Sequence, residues 1–325
     1  MKLETCIVTP TYNQEDFTIR CFDSIRRNTG VPYKIIWIDN GSTPKSREKV
    51  KKFLEENKIP YEAILNEKNL GFVKATNQGM KKALELGTPY IVLQNNDTEV
   101  YEGWLERMIE VAESDPHIGI VGPITSPCKS WQSIINLQIK VPTFSNLPEY
   151  NNNSEEYAKK IERLYQKEEM EVKHMVAFFC TLIKSELVRQ VGLLSEEYGT
   201  GFADDDDYCY RARQSNWKIM LAMDVFVFHN HRTTFKSRFN EEEIKEMIMK
   251  NVTLFRSKCN NEEDRSGKVF KFWKVINRYN KLKCFDRHYF FSLFRKAYWV
   301  LHQQGLKTFL RYTWKYLIYG RKYFR

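Results

Sequence analysis

The first 125 residues alternate short apolar runs with amphipathic runs of helical period. A parallel or mostly parallel sheet covered by helices is the arrangement that satisfies such a pattern. Strand signals are read at Thr5–Thr9, Tyr33–Ile38, Tyr61–Leu65, Pro89–Gln94 and Ile118–Gly122. Helix signals fall between them at Glu15–Arg27, Ser46–Asn57, Phe72–Leu86 and Gly103–Ser114. From Pro127 to Glu171 the alternation fails, with frequent Pro, Asn and Ser and then a charged helix at Glu155–Lys167, as expected of an insertion or lid. Regular signals resume with a strand at Met175–Ile183, a helix at Lys184–Val191, an acidic helix start and a strand at Val225–Phe228.

With 325 residues the chain can bury a large core, and the expected division is a catalytic domain at 1–240 followed by a helical region at 241–325. No apolar run is long enough to span a bilayer, and no secretory signal precedes the first strand. Seven cysteines, an odd number without a Cys-x-x-Cys pair, predict free thiols in a reducing cytoplasm and speak against a zinc or disulfide framework. The net charge of +10 is uneven: residues 241–325 hold 20 Lys and Arg against 8 acids, so the rest of the chain is slightly acidic.

Open α/β sheets bind ligands beyond the carboxyl ends of their strands. Three clusters fall there: Thr9, Pro10, Thr11, Tyr12 and Asn13; Asp39, Asn40, Gly41 and Ser42; and Asn95, Asn96 and Asp97. Each alone reads equally as ordinary turn chemistry. Together they describe a crevice with an aromatic ring, a carboxylate for a base N–H and a carboxylate for a metal. Asp204, Asp205, Asp206 and Asp207 then form an unbroken acidic run. Adjacent carboxylates repel unless a metal, a helix dipole, a basic partner or solvent absorbs the charge, and a solvated helix N-terminus is the plainest reading. His229, at the end of an apolar strand, is either a metal ligand or a buried histidine with a backbone partner, and His231 lies two residues on.

The ordered set of Thr11-Tyr12-Asn13, Ile38-Asp39-Asn40-Gly41-Ser42, Asn69-x-Gly71-Phe72 with Asn77-x-Gly79, Leu93 to Thr98, and Gly201 to Arg211 resembles inverting glycosyltransferase family 2, above all its rhamnosyltransferase-like branch. The resemblance covers about residues 3–235 and implies a glycosyltransferase A-type, Rossmann-like mixed sheet with helices on both faces, followed by a helical basic segment. It further implies a UDP- or dTDP-sugar donor and a glycan or lipid-linked acceptor, with a hexosyl or deoxyhexosyl group transferred in polysaccharide or cell-envelope biosynthesis. By that likeness Asp97 and His229 would bind Mg²⁺ or Mn²⁺, Tyr12 would stack on the base and Asp39 would accept its imide N–H. Lys74 and Asn77 would meet the diphosphate or ribose, and Asn95 the ribose or a metal-bound water. Thr9, Pro10, Asn69, Asn96 and Asp204 complete the donor and substrate set. Asp205 aligns with the family's base, while Asp206 and Asp207 are left to cap the helix or bind Arg211 or Arg213. The sequence departs from the family at position 95, Asn for the usual Asp, and at 204, Asp for Glu.

Residues 265–325 carry 16 Lys and Arg and a single acid, Asp286, with apolar residues at helical spacing. Amphipathic helices lying on an anionic inner leaflet, and helices packed on another domain, both fit that pattern. No nucleic-acid recognition motif accompanies the charge. Two other activities share the early motifs: a nucleotide-sugar-binding module without transfer, and a nucleotidyltransferase, although Thr9–Asn13 lacks the Gly-rich basic loop expected for a triphosphate.

Overall fold

In the computed structural model, residues 5–126, 132–133, 147–230 and 239–259 are described. His231, most of 127–146 and the whole of the basic stretch 265–325 lie outside them. The chain divides into units at Met1–Asn260 and Asn261–Arg325, and the architecture below is that of the first.

Strand β1 (Thr5–Thr11) opens the sheet and is followed by helix α1 (Glu15–Asn28), β2 (Tyr33–Asn40), α2 (Pro44–Glu56), β3 (Tyr61–Asn66), α3 (Phe72–Glu85) and β4 (Tyr90–Gln94). Next come a two-residue β5 (Thr98–Glu99), α4 (Trp104–Glu113), β6 (Ile118–Thr125), α5 (Leu147–Leu164) and β7 (Glu169–Glu171). The remainder is β8 (Cys180–Lys184), α6 (Ser185–Val191), a 3₁₀ turn (Glu196–Tyr198), α7 (Asp204–Gln214), β9 (Lys218–His229) and α8 (Glu241–Lys258). The sheet order is β3-β2-β1-β4-β8-β6-β9-β5, with β7 also paired to β9. The β3-β2-β1-β4 half is parallel, as the strand–helix alternation predicts, and β8 enters antiparallel between β4 and β6.

Period-two alternation sorts the strands onto two apolar layers. Cys6, Val8, Ile36, Ile38, Ile91 and Leu93 face α3, α6 and α7, whereas Ile7, Ile35, Trp37 and Val92 face α1, α2 and α4. The sheet is therefore covered on both sides. Five described cysteines, Cys6, Cys21, Cys180, Cys209 and Cys259, are free and buried. No helix among the described residues is long and apolar enough to cross a membrane.

The structure departs from the predicted elements in three places. The strand expected from Met175 starts only at Cys180, because the preceding backbone bonds elsewhere: Ala177 N–H donates to Gln132 Oε1 and Phe179 C=O accepts from Asn95 N–H. Helix α5 starts at Leu147, eight residues before the predicted Glu155, and buries Ala158 and Ile161 in the core. Strand β9 starts at Lys218 and continues through a bulge opposite Pro123 and Ile124, where Arg107 Nε donates to Asp224 Oδ1 at 3.0 Å and Oδ2 at 2.9 Å. An interrupted ladder with a charged residue inside it hides its first half from a reading based on apolar runs.

Helix α3 lies unusually close to the sheet. A Cβ on Gly79 would stand 2.3 Å from Val8 Cγ1 and 2.7 Å from Ile38 Cδ1. Alanine gains about 1 kcal/mol over glycine in an exposed helix, but overpacking here outweighs it. Gly79→Ala is expected to lower stability by about 1–3 kcal/mol in urea unfolding. An unchanged midpoint would show that α3 can lift from the sheet freely.

Candidate active site

The ends of β1 and β2 are locked together before any ligand arrives. Trp37 Nε1 donates to Thr11 Oγ1 at 2.8 Å, and Thr11 Oγ1 donates to Ile38 C=O. Asn13, in the left-handed region at φ 52°, accepts Thr43 N–H on Oδ1 and donates its own N–H to Ser42 Oγ. Between these contacts Tyr12 and Pro10 stay partly exposed, while the Thr9 side chain points into the core. Asp39 is fully buried; its Oδ1 accepts Ser42 N–H at 2.8 Å and its Oδ2 accepts Arg47 Nε at 2.5 Å. Arg47, on α2, also donates to Asn66 C=O at 3.1 Å. Sequence reasoning singled out Asp39 but missed Arg47, whose role depends on a fold-back that no local pattern encodes.

The next turn is held by amides. Asn40 Oδ1 accepts Leu70 N–H at 3.0 Å and Asn66 Nδ2 at 3.1 Å, and its Nδ2 donates to Asn69 Oδ1 and Gly71 C=O. Gly41, at φ 85°, lets the backbone of Lys68 and Asn69 pass within 2.7 Å of where a Cβ would stand. Asn69 thus serves the turn itself. Asn77, also buried, pairs with both backbone groups of Leu194, donating from Nδ2 at 2.9 Å and accepting on Oδ1 at 3.0 Å. Lys74 is exposed, 4.0 Å from Glu196 Oε2. Asn69 and Asn77 are therefore engaged in shaping loops, and Lys74 is the solvent-facing cation of the three.

Asp97 and His229 are brought together. Thr98 pairs in register with His229, Asn230 N–H donates to Asp97 C=O at 2.9 Å, and His229 Nε2 stands 3.1 Å from Asp97 Oδ1. Ser126 Oγ accepts His229 N–H and donates to His229 C=O, and the Phe179 ring stacks on the imidazole at 5.2 Å. Among the described residues no cluster of three or more metal-ligating side chains occurs. One carboxylate and one imidazole nevertheless fit Mg²⁺ or Mn²⁺ of the kind that takes its other ligands from substrate phosphates and water. Asn96 is turned away, its Nδ2 donating to Thr18 Oγ1 on α1. Asn95 is half-buried, and its backbone N–H reaches Phe179 C=O at 2.8 Å.

The acidic run forms the first turn of α7 and makes no side-chain cap. The dipole favours acids there, but burial opposes their charge. Asp207 is paired: Arg211 Nε donates to its Oδ2 at 2.8 Å and Tyr198 Oη to its Oδ1 at 3.3 Å. Burial and then the charge of Asp205 push Asp204 well above the usual carboxylate range. Burial pushes Asp205 up to about 6, against the N–H groups of Asp206, of its own residue and of Phe178. Asp206 is pushed to about 8 by burial and by Asp205, with Arg213 pulling the other way.

The dipeptide Phe178-Phe179 connects the two halves. The Phe178 N–H faces the Asp205 carboxylate, and one residue on, Phe179 accepts from Asn95 and stacks on His229. Sequence reasoning placed these phenylalanines only within an apolar strand. Their place just before β8, where the backbone leaves the ladder, is the signal that a sharper strand boundary would have exposed.

The family model described as Glycosyl transferase family 2 matches residues 6–192, more than half of the chain. The chain belongs to glycosyl transferase family 2. It is similar to the uncharacterized glycosyltransferase YibD of Escherichia coli (strain K12), 31% identical over 109 residues, or 34% of this chain and 30% of that protein. The chain thus matches less than a third of the length of that curated relative. Among solved structures, GalNAc-T7 with UDP, GalNAc and Mn²⁺ has a TM-score of 0.53 at 17% identity, covering 70% of this chain and 43% of that one. TarS 1–349 of S. aureus in complex with UDP-GlcNAc has a TM-score of 0.52 at 14% identity, covering 78% and 66%. The fold is of the glycosyltransferase A type. The family 2 match spans Tyr12, Asp39 and Asp97 and ends at Gly192, so the acidic helix and His229 stand on geometry.

Raised folded pKa values on Asp205 and Asp206 mean that the folded state binds protons more readily than the unfolded chain, so stability falls as pH rises from about 4 through about 6 and 8. Asp206→Asn should therefore stabilise the protein by about 1 kcal/mol or more at pH 8, with no gain near pH 4. Urea midpoints at the two pH values check this. Destabilisation at pH 8 would show that the charge is well accommodated.

Proposed function

We propose that the chain transfers a hexosyl or deoxyhexosyl group from a UDP- or dTDP-sugar to a hydroxyl of a glycan or lipid-linked acceptor, in one displacement that inverts the anomeric centre. The observation carrying this reading is the Phe178-Phe179 link, which joins a carboxylate of raised pKa to the Asp97–His229 pair. A general base and a pair of groups for the departing diphosphate are what such a displacement requires, and here each is contacted by one of two adjacent residues. Family membership and the UDP or UDP-GlcNAc bound in the two structural neighbours support the donor class.

Each half has its chemistry. Uracil and thymine present an imide N–H, which Asp39 would accept while Arg47 holds the carboxylate in place. Tyr12 would stack on the base, and the half-buried Asn95 would meet the ribose. Asp97 and His229 would hold Mg²⁺ or Mn²⁺, and a divalent cation bound there would neutralise charge on the departing diphosphate. Mn²⁺ in the GalNAc-T7 structure supports that assignment. Asp205 takes the proton of the acceptor hydroxyl as its oxygen forms the new bond to the anomeric carbon. The bond from that carbon to the diphosphate breaks, and the nucleoside diphosphate leaves with the electron pair. No enzyme nucleophile is needed. With a pKa of about 6, Asp205 is ionised at neutral pH yet more basic than an ordinary aspartate.

Asp205→Asn should lower kcat by about 10³-fold while the Kd for UDP stays within about twofold by calorimetry; full activity would reject Asp205 as the base. In the wild type, kcat/KM should fall about tenfold per pH unit below about 6, because the base must be deprotonated. Asp97→Ala should remove the dependence of UDP binding on Mn²⁺, measured by titration with and without the ion. Retained dependence would place the cation elsewhere.

A further inference from the structure

We infer that Asn251 of α8 is a positioning residue for the acidic turn, its side chain bracing the loop before Asp204 so that Asp205 is held for catalysis. The inference rests on the base assignment proposed above. Helix α8 buries only Ile244, Asn251 and Phe255, and Asn251 is its one buried polar side chain. A buried amide inside a helix is unfavourable unless hydrogen-bonded. Both Asn251 bonds go to one loop: Nδ2 donates to Tyr198 C=O at 2.9 Å and to Gly201 C=O at 2.7 Å.

That loop is strained. Gly199, Gly201, Phe202 and Ala203 have φ of 56°, 116°, 71° and 63°, and Asp204 starts the helix immediately after them. Two consecutive non-glycine residues at positive φ persist only where surrounding structure over-determines them. The surroundings supply three holds. Val73 N–H, at the start of α3, donates to Gly199 C=O at 3.2 Å. Tyr198 Oη donates to Asp207 inside α7. The third hold is Asn251, which closes the turn from outside.

The rest of the same α8 face meets the same region. Thr200 Oγ1 donates to Met247 Sδ at 3.3 Å, Phe255 packs edge-on against Tyr210 of α7, and Lys258 Nζ pairs with Glu197 and lies 5.1 Å over the Tyr198 ring. Residues 247, 251, 255 and 258 follow helical spacing, so one stripe of α8 grips both the loop and the helix it feeds. The N-terminus of α8 is independently fixed by a capping box between Asn240 and Glu243. The start of the helix is thus held by its own residues and not by the loop.

The test replaces Asn251 by leucine, which keeps the branched shape and removes the amide donor. Ile244→Ala serves as a control that truncates a buried side chain of the same helix and leaves Asn251 in place. At a temperature where both variants are folded, Asn251→Leu should lower kcat by about 10- to 100-fold and leave the UDP Kd within twofold, whereas Ile244→Ala should leave kcat within twofold. Amide exchange across residues 199–205 should quicken in Asn251→Leu alone. A kcat within twofold of wild type in Asn251→Leu, or an equal loss in both variants, would overturn the inference. A wild type that transfers no sugar would sink the proposed reaction instead. Exchange would then decide alone, and unchanged protection of 199–205 would refute the brace.

Discussion

Carboxylates standing side by side in a partly buried turn repel one another, and the architecture around α7 is arranged to hold them there regardless. Asp207 is neutralised by Arg211 and Tyr198, so the charge problem is concentrated on Asp204, Asp205 and Asp206. The helix dipole and the N–H groups of Phe178 and Asp206 favour ionisation of Asp205; burial opposes it more strongly. The balance leaves a carboxylate whose affinity for a proton is a property of the fold. These neighbouring groups titrate as a set, so altering any one shifts the others.

Holding such a group needs rigid neighbours, and they come from distant parts of the chain. The start of α3, the Leu194–Gly201 segment and α8 converge on the loop before Asp204 through backbone and amide bonds. The ends of β1 and β2 show the same device, with Asn13, Asn40 and Asp39 tying strand ends to turns. Asparagine recurs because its amide can donate and accept at once, matching a backbone N–H and C=O together. Of the motif asparagines, Asn69 and Asn77 spend their amides on loops, while Asn95 stays half-buried.

The parallel half of the sheet was legible because each strand is short, apolar and followed by a helix of clear period. Candidate residues at strand ends were legible for the same reason: Asp39 and Asp97 stand where open sheets leave room for ligands. His229 was legible as the end of an apolar strand. Phe178, Phe179, Arg47 and Asn251 were not. Each is an ordinary residue for its local element, and its role arises from a partner outside that element: Asp205, His229, Asp39 and the Tyr198–Gly201 loop. Local periodicity reports which face is buried and is silent about which buried neighbour is met.

The bulge in β9 has a consequence for the Asp97–His229 pair. Before it, Ile219 and Leu221 face the α3 layer while Met220 and Ala222 face the α4 layer; after it, Phe226 and Phe228 face the first and Val225 and Val227 the second. The partner register advances by an odd number of residues between Pro123 and Ile124, and the odd and even positions exchange sides. His229 therefore shares the side of Val227 and of Phe179, the ring it stacks on. An unbroken strand would carry the imidazole through to the opposite layer. The bulge, pinned by the ion pair of Arg107 and Asp224, is in this sense a phase-setter: it fixes on which side of the sheet the strand delivers its histidine.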